Sequence, residues 1–597
     1  MTFEAEYLPF ESAEEIPKPA DDASVNDAAK EGGGGKTKGK GPSQATQLVA
    51  LAAGVDLFHT PEGRAFATLE INGHRETWSI RSKDFKSWLR RAYFQKFESV
   101  PNAQALQDAL SMLEARAQFE GREETVHVRV AEKNGAIYLD LGDPAWRAIE
   151  ITAQGWQIVT EPPVRFRRPR GVMPLPEPVR GGTVAELRRF VNVDSNEAFH
   201  LLLAWIIGAL RPTGPYVILV LQGEQASAKS TTARVLRLLV DPSTALLRRT
   251  PRDERDLMIG AQNAWILSFD NLSGLPTWIS DAICCLATGG GLSTRELYTD
   301  DDEIIFNASR PVIMNGIDAI AVRADLADRS MVLNLPPIAE TKRQTEASFW
   351  SSFNQAAPRI LGAVLDGVSA ALRNIGNVTL PSRPRMADFA MWATAAEPGL
   401  GWAPGTFMAA YSGNRAQSVD VTLEADVVAV AVRALLECSP GGSWEGGATE
   451  LHATLRALVP EHILRTRDWP QAANALTNRL RRAAPALRAV GVTLDLARSG
   501  HSGSRVLRLS RAVPAPTVST VSAIVGASAA APPTSGRADG PVSGIVSAGA
   551  GHRQQASGQV PHFANKSRPA DGADGADDLS AARSSGAADT EFVMEVL

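Results

Sequence analysis

A strand-like run of apolar residues, 216–221, leads into a loop of small residues and then into Lys229-Ser230-Thr231. This order of strand, small-residue loop and helix start is typical of a phosphate-binding P-loop. The backbone N–H groups of such a loop point at the phosphates, and the dipole of the following helix favours the anion. Lys229 is placed to reach the β- and γ-phosphates, and the Ser230 hydroxyl to hold Mg²⁺. The pattern predicts an α/β P-loop NTPase core with ATP and Mg²⁺ as its cofactors.

The predicted nucleotide-binding loop departs from the usual pattern at one position. Ala228 stands where a second glycine normally precedes the lysine. A right-handed helical conformation tolerates the added methyl group, whereas a positive φ would not. The alternative interpretation is a plain turn of small residues between a strand and a helix. The residues predicted to bind the nucleotide are Gly223, Glu224, Gln225, Ala226, Ser227, Ala228, Lys229, Ser230 and Thr231.

A second apolar run, 264–269, ends in Asp270. At this distance after a P-loop, such a strand is a Walker B signature whose carboxylate binds Mg²⁺ together with Ser230. Apolar strands that end in Asp also occur by chance, which is the alternative. The next residue is Asn271, where many ATPases carry the glutamate that activates water. We expect either slow hydrolysis or another carboxylate in this role, and Glu224 is the nearest candidate in sequence.

Further segments follow in a compact order: the glycine run 289–291 with Arg295 and Tyr298 after it, the apolar run 304–306, and a strand-like run that ends in Asn315. Together with the two preceding motifs, this order resembles the superfamily 3 helicases, the AAA+-like ATPases of phage, plasmid and viral primase–helicases. The resemblance covers roughly residues 200–340.

The resemblance implies roles for individual residues. Asn315 would sense the γ-phosphate, and Arg295 and Tyr298 would lie at or near a hairpin that grips single-stranded DNA. Arg329 would be the arginine that reaches the γ-phosphate of the neighbouring subunit, and Arg323 is the second choice for this role. The alternative is that either arginine simply pairs with a nearby aspartate. An arginine that acts across a subunit interface requires a homo-oligomeric ring, and the family resemblance implies a hexamer. The predicted catalytic residues are Lys229, Asp270, Asn315 and Arg329.

The order of segments predicts several domains. At 597 residues the chain is too long for one hydrophobic core. An α+β domain and a winged-helix-like domain flank the AAA+-like core, with disordered tails outside them. The expected segments are a disordered, basic linker at 1–45, the α+β domain at 46–158, a Pro/Arg-rich linker at 159–183, a helical collar at 184–211, the ATPase core at 212–340, a helical lid at 341–415, the winged-helix-like domain at 420–510 and a disordered tail at 511–597.

The α+β domain has no predicted role. Hairpins are expected around Asn72-Gly73 and between 125–131 and 136–141. The basic helix after residue 82 suits DNA, and a solvated amphipathic helix suits the pattern equally well. Asp140 and Asp143 suggest metal-dependent primase chemistry, but no further ligand is evident near them.

Composition bounds the remaining choices. The three cysteines, two of them adjacent, provide neither a disulfide framework nor the spacing of a zinc site. No apolar run is long enough to span a bilayer. We therefore expect a cytoplasmic protein without a membrane partner. The leading hypothesis is an ATP-driven ring motor that acts on DNA in replication of a phage or mobile element, with other replication proteins as possible partners. The alternative is a nucleotide-switched regulatory or assembly ATPase without unwinding activity. A P-loop kinase would need an acceptor pocket, which the sequence does not suggest.

Overall fold

The computed structural model describes residues 42–295, 303–306, 309–317, 320–321, 323–466, 468–499 and 504–511. The segments predicted to be disordered, 1–45 and 511–597, lie almost wholly outside these residues. The chain forms two compact units, one within Met1–Glu150 and Gln157–Pro169 and the other within Ile151–Trp156 and Arg170–Leu597. Across the described ranges, no helix combines the length and the apolar character that a bilayer span requires.

The first unit is an α+β fold. Its main sheet has the strand order β3-β2-β1-β4, and a second sheet has the order β6-β7-β8-β9. The elements are α1 Gln44–Leu51, β1 Asp56–His59, β2 Ala65–Ile71, β3 His74–Ser79, α2 Lys83–Phe97, α3 Ala103–Phe119, β4 Arg122–Glu123, β5 Val126–His127, β6 Val130–Lys133, β7 Ala136–Asp140, β8 Ala148–Thr152, β9 Gly155–Val159 and β10 Arg165–Phe166.

The two predicted hairpins differ in outcome. The first is confirmed, because β2 and β3 pair antiparallel around Asn72-Gly73, both at positive φ. The second is displaced: β6 covers Val130–Lys133 rather than 125–131, and Val126–His127 pairs in parallel with Arg165–Phe166 instead. A two-residue turn at Asn134-Gly135 makes Lys133 and Ala136 the last pair of the hairpin, and the positive φ of Arg129 interrupts the extended run before it.

The carboxylates predicted as metal ligands are engaged by arginines. Asp140 is buried and accepts hydrogen bonds from Arg168 at 2.6 and 3.0 Å, and Asp143 accepts one from Arg147. Among the described residues, no group of three or more His, Cys, Asp or Glu side chains could hold a metal ion. Arg165 likewise pairs with Asp56 at 2.7 Å. The segment predicted as a linker from residue 159 therefore begins inside the fold of the first unit.

The second unit contains a four-stranded parallel sheet with the order β12-β15-β11-β16. The central strands β11 and β15 are buried on both faces, which is why their sequences are continuous apolar runs. The elements from the start of the unit's helices to the sheet's last strand are a 3-10 helix Val184–Phe190, α4 Asn196–Ala209, β11 Ile218–Gln222, α5 Lys229–Val240, α6 Glu254–Asn263, β12 Leu267–Phe269, α7 Thr277–Thr288, β13 Leu292–Arg295, β14 Glu303–Phe306, β15 Val312–Gly316, α8 Ala324–Ala327 and β16 Ser330–Asn334.

A buried ion pair joins the end of α5 to the start of the β12 region. Arg237 and Asp241 lie 3.1 Å apart, and the same Asp241 oxygen accepts hydrogen bonds from the backbone N–H groups of Trp265 and Ile266. Loss of either partner would leave an uncompensated buried charge, which costs several kcal/mol, about 3–5. The pair therefore fixes the first helix after the loop against the strand that carries Asp270.

Helices follow the sheet, and a smaller assembly ends the described chain. Four helices, one of them only four residues long, and a three-stranded sheet of order β17-β19-β18 make up this C-terminal part. Arg479 in this part pairs with Asp426 at 3.2 Å. The elements are a 3-10 helix Glu340–Lys342, α9 Glu346–Asn374, α10 Ala387–Ala396, α11 Thr406–Ala425, α12 Val427–Cys438, β17 Ser443–Gly446, α13 Ala448–Leu458, α14 Glu461–Leu464, α15 Ala473–Ala489, β18 Val492–Ser499 and β19 Ser504–Arg511.

Candidate functional site

The loop between β11 and α5 is tightly closed at its start. Gly223 has φ +155, and a Cβ at this position would lie 2.4 Å from the carbonyl oxygen of Leu335, so only glycine fits. Ala226 and Ala228 have φ of +61 and +58. The helical conformation that would suit the methyl of Ala228 is therefore not adopted. A left-handed conformation costs an L-residue roughly 1–2 kcal/mol relative to the right-handed one.

Lys229 is the first residue of α5, and its side chain folds back over the loop. Nζ donates hydrogen bonds to the carbonyl oxygens of Gly223 at 2.8 Å and Glu224 at 2.6 Å, and to Ser227 Oγ at 3.1 Å. Burial lowers the pKa of Lys229, and the charge of Asp270 partly opposes that shift. No ion pair joins Lys229 to a carboxylate in the described part of the chain. Its charge is held by neutral oxygens and stays available to an anion.

Ser230 and Asp270 meet across the gap between α5 and β12. Ser230 Oγ donates a hydrogen bond of 2.7 Å to Asp270 Oδ1. Asp270 directly follows β12, and its backbone N–H donates to the carbonyl of Arg248 at 2.9 Å. A hydroxyl and a carboxylate in this position are hard oxygen donors of the kind that Mg²⁺ binds.

Asn315 closes the site from the neighbouring strand β15. Its side chain is buried, and Oδ1 accepts a hydrogen bond of 2.8 Å from the backbone N–H of Asn271. The amide Nδ2 has no hydrogen-bond partner among the described residues. A buried donor without a partner costs about 1–3 kcal/mol. An acceptor from a bound ligand would satisfy this donor.

These side chains surround one cavity of about 380 Å³ at the carboxyl edge of the sheet. The predicted residues Lys229, Ser230, Asp270 and Asn315 all line it, and so do 225–228, Thr231 and Asn271. The carboxylate of Glu224 does not line the cavity, because this residue is exposed and turns only its carbonyl oxygen towards Lys229.

Sequence analysis missed Arg343, which also lines the cavity. It follows β16 and the 3-10 helix Glu340–Lys342. The segment before it runs along the loop: Leu335 N–H donates to Gln222 at 2.7 Å, and Ile338 N–H donates to Ala226 at 3.1 Å. Asn192 ties this segment to the loop with hydrogen bonds to Ser227 O and Pro336 O. No spacing motif marks Arg343, because its position depends on this return of the chain.

Arg329 lies at the opposite, amino edge of the same sheet. Its carbonyl oxygen accepts a hydrogen bond from Ile218 N–H, at the beginning of β11, whereas the loop follows the end of that strand. The intervening strand, from residue 218 to residue 223, spans about 16 Å. The Arg329 guanidinium pairs with Asp325, as the alternative interpretation proposed. Arg329 does not line the cavity of its own chain.

An acidic and basic cluster surrounds Arg329. Arg415 pairs with Asp328 at 2.8 Å, and Arg385 lies between Asp325 and Asp328 at 3.9 and 3.5 Å. Burial raises the pKa of Asp325, but the hydrogen bond and charge of Arg329 outweigh it, so the net pKa is lowered. The reserve candidate, Arg323, pairs with Asp281 at 3.0 Å.

The predicted hairpin between the glycine run and β15 is present. Strands β13 and β14 pair antiparallel, with Arg295 opposite Glu303. Tyr298 and the acidic residues 300–302 lie outside the described residues.

Two family models match the chain. Residues 184–413 match the model described as actinomycete integrative conjugative element replication protein, and residues 428–522 match the model of the AICE RepA C-terminal domain. These two segments are similar to replication proteins of mobile elements. Both matched segments lie in the second unit, and the first contains the whole of the cavity described above. Comparison with curated proteins gave no match.

Solved structures give only distant likenesses. The apo NrS-1 C-terminal region is 12% identical, with a TM-score of 0.36, over 79% of this chain and 100% of that one. The X-ray structure of JCV helicase is 12% identical, with a TM-score of 0.22, over 39% of this chain and 64% of that one. Likenesses this distant carry no functional argument.

Proposed function

We propose that this protein is an ATP-binding and ATP-hydrolysing ring motor, helicase-like, that acts on DNA in replication of a mobile element. The observation that carries the proposal is the meeting of Lys229, the Ser230–Asp270 pair and the orphaned amide of Asn315 around one cavity. A cation without an acidic partner, a pair of hard oxygen donors and a buried amide donor together suit a nucleotide triphosphate with its metal.

Each group would act on a different part of the nucleotide. Lys229 would give up its hydrogen bonds to the carbonyl oxygens of Gly223 and Glu224. It would form charge-assisted hydrogen bonds to phosphate oxygens in their place. The backbone N–H groups at the start of α5 would hold the same phosphates. Asn315 Nδ2 would donate to the terminal phosphate and so gain a partner that the described residues do not provide.

Ser230 and Asp270 fit a magnesium ion. Their side-chain oxygens lie 2.7 Å apart and face the cavity, so both could reach one ion directly or through water. Bound Mg²⁺ would neutralise charge on the phosphates during phosphoryl transfer. The buried Arg237–Asp241 pair keeps Ser230 and Asp270 at this separation by fixing α5 against the β12 region.

Arg329 would complete the site of a neighbouring subunit. Because it lies at the far edge of the sheet, it cannot serve the cavity of its own chain. In other NTPases an arginine supplied in trans accelerates hydrolysis by about 10³ to 10⁵. A head-to-tail contact that closes on itself makes a ring, and we propose a hexamer. The β13–β14 hairpin, with Arg295, would then face single-stranded DNA.

DNA-stimulated ATP hydrolysis tests this proposal. Wild type and Lys229→Ala are compared for binding of ATP with Mg²⁺, and then for hydrolysis with and without single-stranded DNA. The proposal expects binding and stimulated hydrolysis for wild type and neither for Lys229→Ala. Hydrolysis that single-stranded DNA does not stimulate would contradict the motor, and failure of wild type to bind ATP would contradict any ATPase function.

A nucleotide-switched regulatory or assembly ATPase is the second candidate. It is favoured by the lack of a second carboxylate at the cavity: Asp270 is the sole carboxylate among the described lining residues, and Asn271 stands where a water-activating glutamate is common. A strand-displacement assay separates the two candidates. A motor displaces a paired strand in the presence of ATP, whereas a switch binds and releases nucleotide without displacement.

A further inference from the structure

The outer face of helix α2 in the first unit carries an array of cations that the proposed function does not use. Three cations and an aromatic ring lie on one exposed face, and Lys86 flanks them. We name this face the α2 stripe; its members are Lys83, Arg90, Arg91 and Phe94. At 3.6 residues per turn these positions share one side of the helix.

The rotation of α2 is fixed by its other face. Phe85, Leu89 and Tyr93 are 0 to 2% exposed and pack into the core of the first unit. Ser82 caps the helix by accepting a hydrogen bond of 3.1 Å from Phe85 N–H. Because the apolar face is locked in the core, the stripe is held towards solvent as a rigid row about 16 Å long from residue 83 to residue 94.

The cations of the stripe differ from most of the other arginines of the first unit. Within the described residues, Lys83, Lys86, Arg90 and Arg91 form no ion pair and no side-chain hydrogen bond. Most arginines elsewhere in this unit are paired with carboxylates: Arg75 and Arg122 with Asp56, Arg81 with Glu114, Arg116 with Glu120, Arg165 with Asp56 and Arg168 with Asp140. The exposed Arg64 has no such pair within the described residues. Within the described residues, the cations of the stripe therefore lack the carboxylate partners that those arginines have.

Phe94 gives the stripe a second property. Its side chain is 54% exposed and lies on the same side of the helix as Arg90 and Arg91. Cations interleaved with an exposed aromatic ring suit a single nucleic-acid strand, because the cations bind phosphates and the ring stacks on an unpaired base. A paired strand would present its phosphates to the cations but would offer no free base to Phe94.

We propose that the α2 stripe binds single-stranded DNA, with Lys83, Arg90 and Arg91 on phosphates and Phe94 stacked on a base. This contact needs no nucleotide, so it is independent of the cavity in the second unit. It assigns to the first unit, which neither family match covers, the task of holding a strand for the chain.

The test measures DNA binding by the full chain in the absence of nucleotide. Fluorescence anisotropy of labelled oligothymidine is recorded from about 50 to 200 mM salt, where phosphate contacts dominate the salt dependence. Wild type is compared with Arg90→Gln/Arg91→Gln. The matched control is Arg75→Gln/Arg116→Gln, which removes two arginines from the same unit, both already paired with acids.

We expect the stripe variant to bind about tenfold or more weakly and to reduce the slope of log K against log salt by about 1.4, since each lost contact with a single strand removes about 0.7. The control should keep the wild-type slope. An unchanged slope in the stripe variant, or an equal loss in the control, would overturn the proposal. Arg75, Arg90 and Arg91 are exposed and Arg116 is half-buried. An unchanged melting temperature confirms that both variants fold.

Phe94→Ala tests the stacking contact. It should weaken binding of oligothymidine at least about fivefold without changing the salt slope, and it should leave duplex binding unchanged. An equal loss for single-stranded and duplex DNA, or no loss for either, would reject the base contact and with it the preference for a single strand. DNA-free ATP hydrolysis should match wild type in every stripe variant. Failure of the ATPase proposal would show instead as absent hydrolysis in all proteins, with the anisotropy results intact.

Discussion

The two edges of the parallel sheet in the second unit treat their charged side chains in opposite ways. At the carboxyl edge, Lys229 contacts only neutral oxygens, and Asn315 keeps a buried donor without a partner among the described residues. At the amino edge, Arg329, Arg385 and Arg415 are all paired with Asp325 or Asp328. Among the described residues, Lys229 at the carboxyl edge therefore has no acidic partner, whereas these three arginines at the amino edge are paired with acids.

This difference explains why one subunit would not suffice. The strand β11 separates the two edges, and Arg329 is bound at its beginning whereas the loop follows its end. A head-to-tail neighbour would place the amino edge of one chain against the carboxyl edge of the next. Asp325 holds Arg329 in the free subunit, and a nucleotide phosphate with higher charge would compete for it. The predictions below test this contrast, from the largest expected effect to the smallest.

Arg329→Ala should abolish hydrolysis and spare ATP binding. Loss of an arginine supplied in trans should lower kcat by about 10³ or more. Steady-state ATPase measurements and equilibrium binding of a fluorescent ATP analogue report the two effects separately. Arg323→Ala, which removes the arginine paired with Asp281, is the matched control and should retain most activity. If Arg329→Ala lost ATP binding as well as hydrolysis, the role assigned to this arginine would be wrong.

Lys229→Ala should weaken ATP binding at least about a hundredfold, because charge-assisted hydrogen bonds to phosphate are about twice as strong as neutral ones and several are lost together. Lys342→Ala is the control, since this exposed lysine lies near the site in sequence and does not line the cavity. Isothermal titration with ATP and Mg²⁺ measures both. Equal affinities for the two variants would mean that the carboxyl edge does not bind the nucleotide.

Ala228→Gly should stabilise the protein by about 0.5–1 kcal/mol. Glycine relieves the left-handed strain of roughly 1–2 kcal/mol at φ +58 but adds entropy to the unfolded chain. Urea denaturation, followed through the unfolding transition of the second unit, measures the change in the free energy of unfolding. Ala233→Gly, within helix α5, is the opposite control and should destabilise, because glycine in a helix costs about 1 kcal/mol. A destabilised Ala228→Gly would show that the methyl group makes a contact worth more than the strain.

Asp325→Asn should cost less than about 1 kcal/mol, since this pair is partly exposed and solvent screens it. The pKa of Asp325 is lowered in the folded state, so its contribution is present above the ordinary aspartate pKa and is lost as pH falls through the folded value. Unfolding of wild type and variant should therefore differ at neutral pH and converge in acid. A difference that grows as pH falls would contradict the assigned ion pair.

Much of the fold around the cavity follows from local pattern. The small-residue loop, the helix start at Lys229 and the strand ends at Asp270 and Asn315 are each visible over a few residues. In a parallel sheet the carboxyl ends of the strands meet at one edge, so side chains far apart in sequence come together by topology. The structure brings Lys229, Ser230, Asp270 and Asn315 to one cavity, while their chemical roles remain predictions.

Other features depend on contacts that no local pattern carries. Only glycine fits at residue 223 because that position lies against Leu335, and Arg343 reaches the cavity only because its segment returns along the loop. Arg168 was expected in a linker, and Arg479 lies in the segment expected to form the winged-helix-like domain. Each is instead paired with an aspartate, Asp140 for Arg168 and Asp426 for Arg479. Basic residues in a sequence do not reveal which acid the fold will place beside them.

Subunit mixing tests the central claim most directly. Lys229→Ala lacks the carboxyl-edge cation and Arg329→Ala lacks the amino-edge one, so each variant alone should be inactive. In rings of both, an interface that joins the intact loop of one variant to the intact Arg329 of the other is complete. ATPase activity should return on mixing, towards about a quarter of the wild-type rate at equal amounts if subunits exchange at random. A mixture as inactive as its components, in rings shown to contain both chains, would contradict a site shared between subunits.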